Sequence, residues 1–118
     1  MSHGIDHIDV NGWLPTATVH NGIAYLSGVV PNGGTSVAEQ TRSVLDQIDD
    51  RLSRCGTSKM HLLEVTIWLA DIGTFAEMNP VYIDWLTGVA PPARACVEAA
   101  LAKPEWAVEI RVSAVIPK

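Results

Sequence analysis

The segment from Ser36 to Gly56 constrains the fold more than any other stretch, because its pattern suits only a helix with one apolar side. Ser36-Val37-Ala38-Glu39 is a capping box, in which the Ser hydroxyl accepts from the third helical N–H and the Glu reaches back to the cap. Behind it Val37, Thr41, Val44, Leu45, Ile48, Leu52 and Cys55 recur at three-and-four spacing, with Asp46, Asp49, Asp50 and Arg51 elsewhere on the wheel. Gly56 is a natural C-terminal stop. A helix with a single apolar stripe has to lie against another layer, and the flanking sequence supplies strands for one.

Upstream, Asn21-Gly22 separates Ala17-Thr18-Val19-His20 from Ile23-Ala24-Tyr25-Leu26-Ser27, a strong short-range hairpin signal. Downstream, His61 to Leu69 alternates, with Leu63, Val65, Ile67 and Leu69 expected on one face and Glu64, Thr66 and Trp68 on the other. A second helix is expected from about Thr74 to Leu86, with Phe75, Met78, Tyr82, Trp85 and Leu86 as its stripe. Pro80 interrupts it and removes one backbone donor. Two more strands follow Pro91-Pro92, turning at Lys103-Pro104-Glu105. In the first, Arg94, Cys96 and Glu98 share a face; in the second, Val108, Ile110, Val112 and Ala114 oppose Glu109, Arg111 and Ser113.

The order is two strands, helix, strand, helix, two strands: a single α+β domain over residues 1–118, a mixed β-sheet with two helices on one face. At 118 residues and 47% hydrophobic content, the chain suits one domain with a real core. The other face of the sheet is left bare. It is expected to carry Glu64, Thr66, Trp68, Arg94, Cys96, Glu98, Glu109, Arg111 and Ser113. A tryptophan among opposite charges suits a subunit interface with polar sites, hence a homo-oligomer.

The formal net charge of −5 argues against nucleic acid and gives no basic patch for a membrane surface. No apolar run reaches the ~18 residues of a membrane-spanning helix, and Met1-Ser2-His3-Gly4-Ile5-Asp6 lacks the pattern of a signal peptide. Two cysteines, Cys55 and Cys96, are too few for a disulfide framework and read as thiols of a reducing compartment, so cytoplasm is the expected location. His3, His7, His20 and His61 form no metal set. There is no phosphate-cradling glycine loop and no nucleophile elbow, so neither metal nor cofactor is expected.

Two charged residues stand out. Arg94 follows Pro91-Pro92-Ala93 at a strand start, where a guanidinium offers a fixed fork to a carboxylate or phosphate. By residue type alone, a salt bridge to Glu64, Glu98 or Glu109 is the commoner fate for it. Glu109 interrupts an apolar strand, where desolvation raises a carboxyl's pKa and suits it to proton relay; an ion pair with Arg111 or Arg94 is the alternative. Cys96, two residues from Arg94, reads as an inert thiol, because no histidine lies nearby in sequence to activate it.

Pro92-Ala93-Arg94-Ala95-Cys96-Val97-Glu98, followed fifteen residues after the Arg by Glu109 in Val108-Glu109-Ile110, resembles the C-terminal signature of the Rid (reactive intermediate deaminase) family. Tyr25-Leu26-Ser27-Gly28, Glu39-Gln40-Thr41, and Leu69-Ala70-Asp71 leading to Phe75-Ala76-Glu77-Met78-Asn79 extend the likeness along nearly the whole chain. The resemblance implies a chorismate-mutase-like fold and a homotrimer, its sheets closing a central barrel and its clefts lying between subunits. It implies cofactor-free hydrolysis of 2-imino or 2-enamino acids to 2-oxo acids and ammonia. Arg94 would hold the substrate carboxylate, Glu109 would position the water, and Ser27 and the Cys96 backbone would line the pocket. The chain departs from the family's N-terminal Gly-Pro-Tyr: Gly12-Trp13-Leu14 stands there, which aligns it with a Trp-bearing branch. Trp13 would keep an aromatic wall without the hydroxyl. The alternative is a non-enzymatic protein that binds or senses small carboxylates such as 2-oxo acids. A ribonuclease, a label some relatives carry, is disfavoured by the charge, and the composition permits a chaperone-like role without pointing to it.

Overall fold

The computed structural model describes residues 4–118, so Met1, Ser2 and His3, with the sequence readings made of them, lie outside the described residues. The strands are β1 (Asp6–Ile8), β2 (Ala17–His20), β3 (Ile23–Leu26), β4 (Leu62–Leu69), β5 (Ala93–Glu98) and β6 (Val108–Val115). The helices are α1 (Val37–Arg54) and α2 (Phe75–Trp85). They form one sheet in the order β1-β2-β3-β6-β4-β5. Only β4 and β5 run parallel, with α2 as the crossover that a parallel pair requires. This is the mixed α+β architecture expected, with one strand more. β1 escaped the sequence reading because three residues are too few to show alternation.

Local chemistry accounts for the two clearest elements. Asn21 and Gly22 both take positive φ, 51° and 74°, as a two-residue turn matched to strand twist demands. At the start of α1, Ser36 Oγ accepts from Glu39 N at 3.0 Å, and Glu39 Oε1 accepts from Ser36 N at 3.1 Å. Backbone donation from Ser36 and Thr35 pulls the Glu39 carboxyl down to about 2. The helix buries Thr41, Val44, Leu45, Ile48 and Leu52 against the sheet, and Trp85 of α2 donates Nε1–H to Asp49 at 3.1 Å. Gln40, which the apolar pattern did not single out, is buried as well. Its amide donates to Glu105 O at 3.0 Å and accepts from Ala107 N at 2.7 Å, tying the β5–β6 connection to α1.

Val65, Ile67 and Leu69 of β4 face Val112, Ile110 and Val108 of β6 under the helices, and all six are buried. Leu63 does not join them. A register shift between Leu62 and Glu64 reverses the phase, so Leu62 packs on the core and Leu63 is exposed. Pro80 sits inside α2 as an interior residue, and the helix continues past it to Trp85.

The two faces of β5 are exchanged relative to the expectation from its alternation. Val65 pairs with Arg94, Ile67 with Cys96 and Leu69 with Glu98, so these three lie on the helix-covered side. Ala95 and Val97 lie on the bare side instead, beside Thr66 and Trp68. A parallel register is set by the length and docking of the crossover, and a shift of one residue exchanges the two faces of a strand. The bare side otherwise holds the residues expected: Glu109 opposite Trp68, Arg111 opposite Thr66, and Ser113 near Glu64 and Tyr25. No helix among the described residues is long and apolar enough to cross a membrane.

Candidate functional site

Arg94 lies at the start of the edge strand β5, exposed, with the rim of α2 beneath it. Phe75, Asn79 and Tyr82 of α2 are spaced i, i+4, i+7 and so share one helix face. Arg94 Nη1 donates to Asn79 Oδ1 at 2.6 Å. Its Cζ lies 4.9 Å from the Tyr82 ring centroid and 5.5 Å from that of Phe75. None of the three carboxylates offered by the sequence pairs with it, and among the described residues it forms no ion pair. Glu98, the nearest candidate on the strand, accepts instead from Ile72 N at 2.9 Å and holds the turn before α2. The cation is thus fixed by one neutral amide and two ring faces, with Nε and Nη2 carrying no partner among the described residues.

Glu109 is half-buried on β6, on the opposite face of the sheet, next to Trp68. Burial pushes its carboxyl above the ordinary carboxylate range. Neither Arg111 nor Arg94 pairs with it; Arg111 Nε donates to Leu26 O at 3.3 Å. The Glu109 carboxylate lies against the backbone of Gly28, where a Cβ would collide with Oε2. Gly28 follows β3, and the ladder contact between Val29 and Ile110 draws this loop onto β6.

Ser27 therefore neighbours Glu109 through the loop. Its hydroxyl donates to Pro15 O at 2.7 Å, and with Leu14, Pro15, Tyr25, Gly28 and Arg111 it lines a shallow groove on the bare side. Cys96 stands on the Arg94 side, half-buried. Burial raises its thiol pKa more than Arg94 lowers it, so the side chain stays protonated and the inert-thiol reading fits. Its backbone belongs to an edge strand whose outer rim has no sheet partner among the described residues. Trp13 sits on the turn closed by Asn11 and Leu14 and is 96% exposed, a large apolar surface for a single chain to leave in water.

The predicted residues thus form two groups. Glu109, Ser27 and the Gly28 loop gather on the bare face. Arg94 and Cys96 gather on the other, with Phe75, Asn79 and Tyr82, which the sequence reading had not placed at a site. Asn79 carried a faint signal as a polar side chain one turn after Phe75 on the helix stripe. Within one chain Arg94 and Glu109 do not meet. Of the remaining histidines, His7 is in β1, His20 Nδ1 bonds Gly4 O at 3.1 Å, and His61 ends a short turn before β4. Among the described residues no three His, Cys, Asp or Glu side chains converge.

The model of the family described as Endoribonuclease L-PSP matches residues 5–116. A RutC family protein of Haemophilus ducreyi is 39% identical over 113 residues, covering 95% of this chain and 97% of its own. The crystal structure of NMB1025, a YjgF family member from Neisseria meningitidis, superposes with a TM-score of 0.92 at 46% identity, covering 98% of each chain. YyfA of Yersinia pestis, a protein of unknown function in the conserved Rid family, superposes with a TM-score of 0.84 at 33% identity over 90% of each chain.

Proposed function

The chain belongs to the Endoribonuclease L-PSP family, whose members also carry the names RutC, YjgF and Rid, and from that premise we propose that it hydrolyses 2-imino or 2-enamino acids to 2-oxo acids and ammonia. The observation that carries the reading is Arg94: an exposed guanidinium held in place by Asn79, Tyr82 and Phe75 yet matched to no carboxylate among the described residues. A planar fork fixed in position and left with open donors suits a carboxylate brought from outside.

Arg94 and Glu109 lie on opposite faces, so one substrate reaches both only where two chains meet. We place the cleft between subunits of a homotrimer, with Arg94 and the Cys96 backbone from one chain and Glu109 and Ser27 from its neighbour. Trp13, exposed on the turn before β2 and bordering a pocket with Asp50, Arg51 and Arg54 of α1, would wall the cleft. In the proposed reaction the 2-imino acid is held by its carboxylate on Arg94. Glu109 accepts a proton from a water molecule as the water oxygen bonds to the imine carbon and the C=N π pair moves to nitrogen, and it passes that proton to the nitrogen. Glu109 then takes the carbinolamine hydroxyl proton and returns it to the amine as the C–N bond breaks, so that ammonia leaves and the C=O of the 2-oxo acid forms. A base whose pKa burial raises suits this exchange, because it takes and returns a proton more readily than an ordinary carboxylate. Orientation supplies much of the rest, since such imines already hydrolyse in water. No cofactor is invoked, and the two free thiols accord with a cytoplasmic setting.

The test is release of ammonia and 2-oxo acid from imino acids generated in situ by an amino-acid oxidase, with titration of pyruvate in parallel. Parent protein should accelerate imine loss and Arg94→Ala should not. An Arg94→Ala protein as fast as the parent would sink the proposal. Pyruvate binding without accelerated imine loss would favour the sensor reading.

A further inference from the structure

Tyr82 is buried, 5% exposed, and its hydroxyl is shut away from solvent with no hydrogen-bond partner among the described residues. An unpaired buried hydroxyl is unfavourable, and phenylalanine would fill the same space without it. What the ring does contribute is position: it packs against Trp85 with centroids 6.2 Å apart and lies under the Arg94 guanidinium. Such a ring face attracts a cation and resists its rotation away. Asn79, one turn earlier on the same helix, takes Nη1. The donors left are Nε and Nη2, which form the side edge of the guanidinium, the edge suited to two parallel bonds with one carboxylate.

We propose that Tyr82 is a positioning residue, whose ring fixes the plane of Arg94 so that the Nε–Nη2 edge is presented to the substrate carboxylate. The inference rests on the carboxylate-anchoring reading of Arg94 given above. It differs from a role in core packing alone, because it ties the ring face, rather than the volume or the hydroxyl, to ligand affinity.

Three variants separate these roles. Tyr82→Phe keeps ring and volume, and Tyr82→Leu removes the ring. Pentafluorophenylalanine at position 82 keeps the shape but reverses the ring's charge distribution, which covers the case in which the leucine variant does not fold. The readouts are pyruvate affinity by titration, kcat in the coupled deaminase assay, and the Arg94 Nε–H resonance by NMR, which a ring face above it displaces. Tyr82→Phe should match the parent in all three. Tyr82→Leu and the fluorinated ring should weaken pyruvate binding about fivefold, a loss typical of a partly exposed cation on a ring, with kcat within about twofold of the parent. In Tyr82→Leu the Arg94 resonance should also move to the position of a free arginine. Variants indistinguishable from the parent in affinity and resonance would overturn the role of Tyr82. A Tyr82→Phe protein as impaired as Tyr82→Leu would overturn it too, by placing the effect in the hydroxyl. A parent protein that neither binds pyruvate nor releases ammonia would overturn the carboxylate-anchoring reading beneath it, a result visible before any variant is made.

Discussion

Arg94 and Glu109 are both charged side chains on strands of one sheet, and neither has a counter-ion among the described residues. Their surroundings differ in the way that matters. Arg94 stands exposed on an edge strand, where water and two ring faces keep a cation comfortable. Glu109 is half-buried on an inner strand beside Trp68 and the Gly28 backbone, where desolvation favours its neutral form. A group whose task is to hold an anion must keep its charge through the cycle. A group whose task is to pass a proton must sit where both of its states are accessible. The two faces of the sheet supply these two environments, and within one chain the two side chains lie on opposite sides of it.

Disturbing the Arg94 side should have the largest effect. Arg94→Ala would remove the two proposed charge-assisted bonds to the carboxylate, each worth about 1.5–3 kcal/mol, so kcat/KM should fall by about 10²- to 10⁴-fold in the coupled deaminase assay. The melting temperature should scarcely change, because the side chain is exposed. On the Glu109 side, Glu109→Gln should lower kcat by about 10²-fold, the usual scale of a lost proton-transfer group, with KM little altered. The parent's kcat should rise with pH through a pKa above the ordinary carboxylate range, and that limb should vanish in the variant. Stability should move the opposite way. A folded-state pKa raised above the unfolded value means that the native chain binds more protons in that window, so parent stability falls as pH rises through it. Glu109→Gln should therefore melt at or above the parent at neutral pH, with the difference shrinking on acidification, as read by thermal scans across the carboxylate range.

A smaller disturbance separates placement from chemistry. Gly28→Ala introduces a methyl where the Glu109 carboxylate now lies, so the carboxylate has to move. Activity should drop by about tenfold, below the roughly 10²-fold that misplacing a reacting group by about an ångström can cost, because the carboxylate is the mobile end of its side chain, while pyruvate affinity, which depends on Arg94, should hold. Loss of pyruvate binding in Gly28→Ala would show that the two environments are not separable in the way described.

How much of this was legible in the residues follows from the range of the interactions. The α1 capping box, its stripe from Val37 to Cys55 and the Asn21-Gly22 turn are local patterns, and each appears as read. The alternation of β6 is likewise local. Leu63 deceived because a bulge changes phase without altering composition. Arg94, Cys96 and Glu98 were rightly grouped on one face of β5, but the choice of face depends on how α2 docks, which no spacing within β5 records. For the same reason the ring pair and the amide around Arg94, contributed by a helix twelve or more residues earlier, were visible only as a helical stripe. Glu109 stood out as a carboxylate in an apolar run, and its environment matches that reading. Its separation from Arg94 is a property of the sheet.

The most direct measurement is complementation between two inactive chains. Arg94→Ala and Glu109→Gln proteins are each prepared alone and then co-expressed in equal amounts, and deaminase activity is compared at equal total chain. If each site takes its arginine from one subunit and its glutamate from the next, random mixing in a ring restores an intact pair at about a quarter of the sites, and activity should recover to about a quarter of the parent's. Mixed assemblies no more active than either variant alone, with mixing verified by mass, would show that Arg94 and Glu109 do not act together across a subunit boundary.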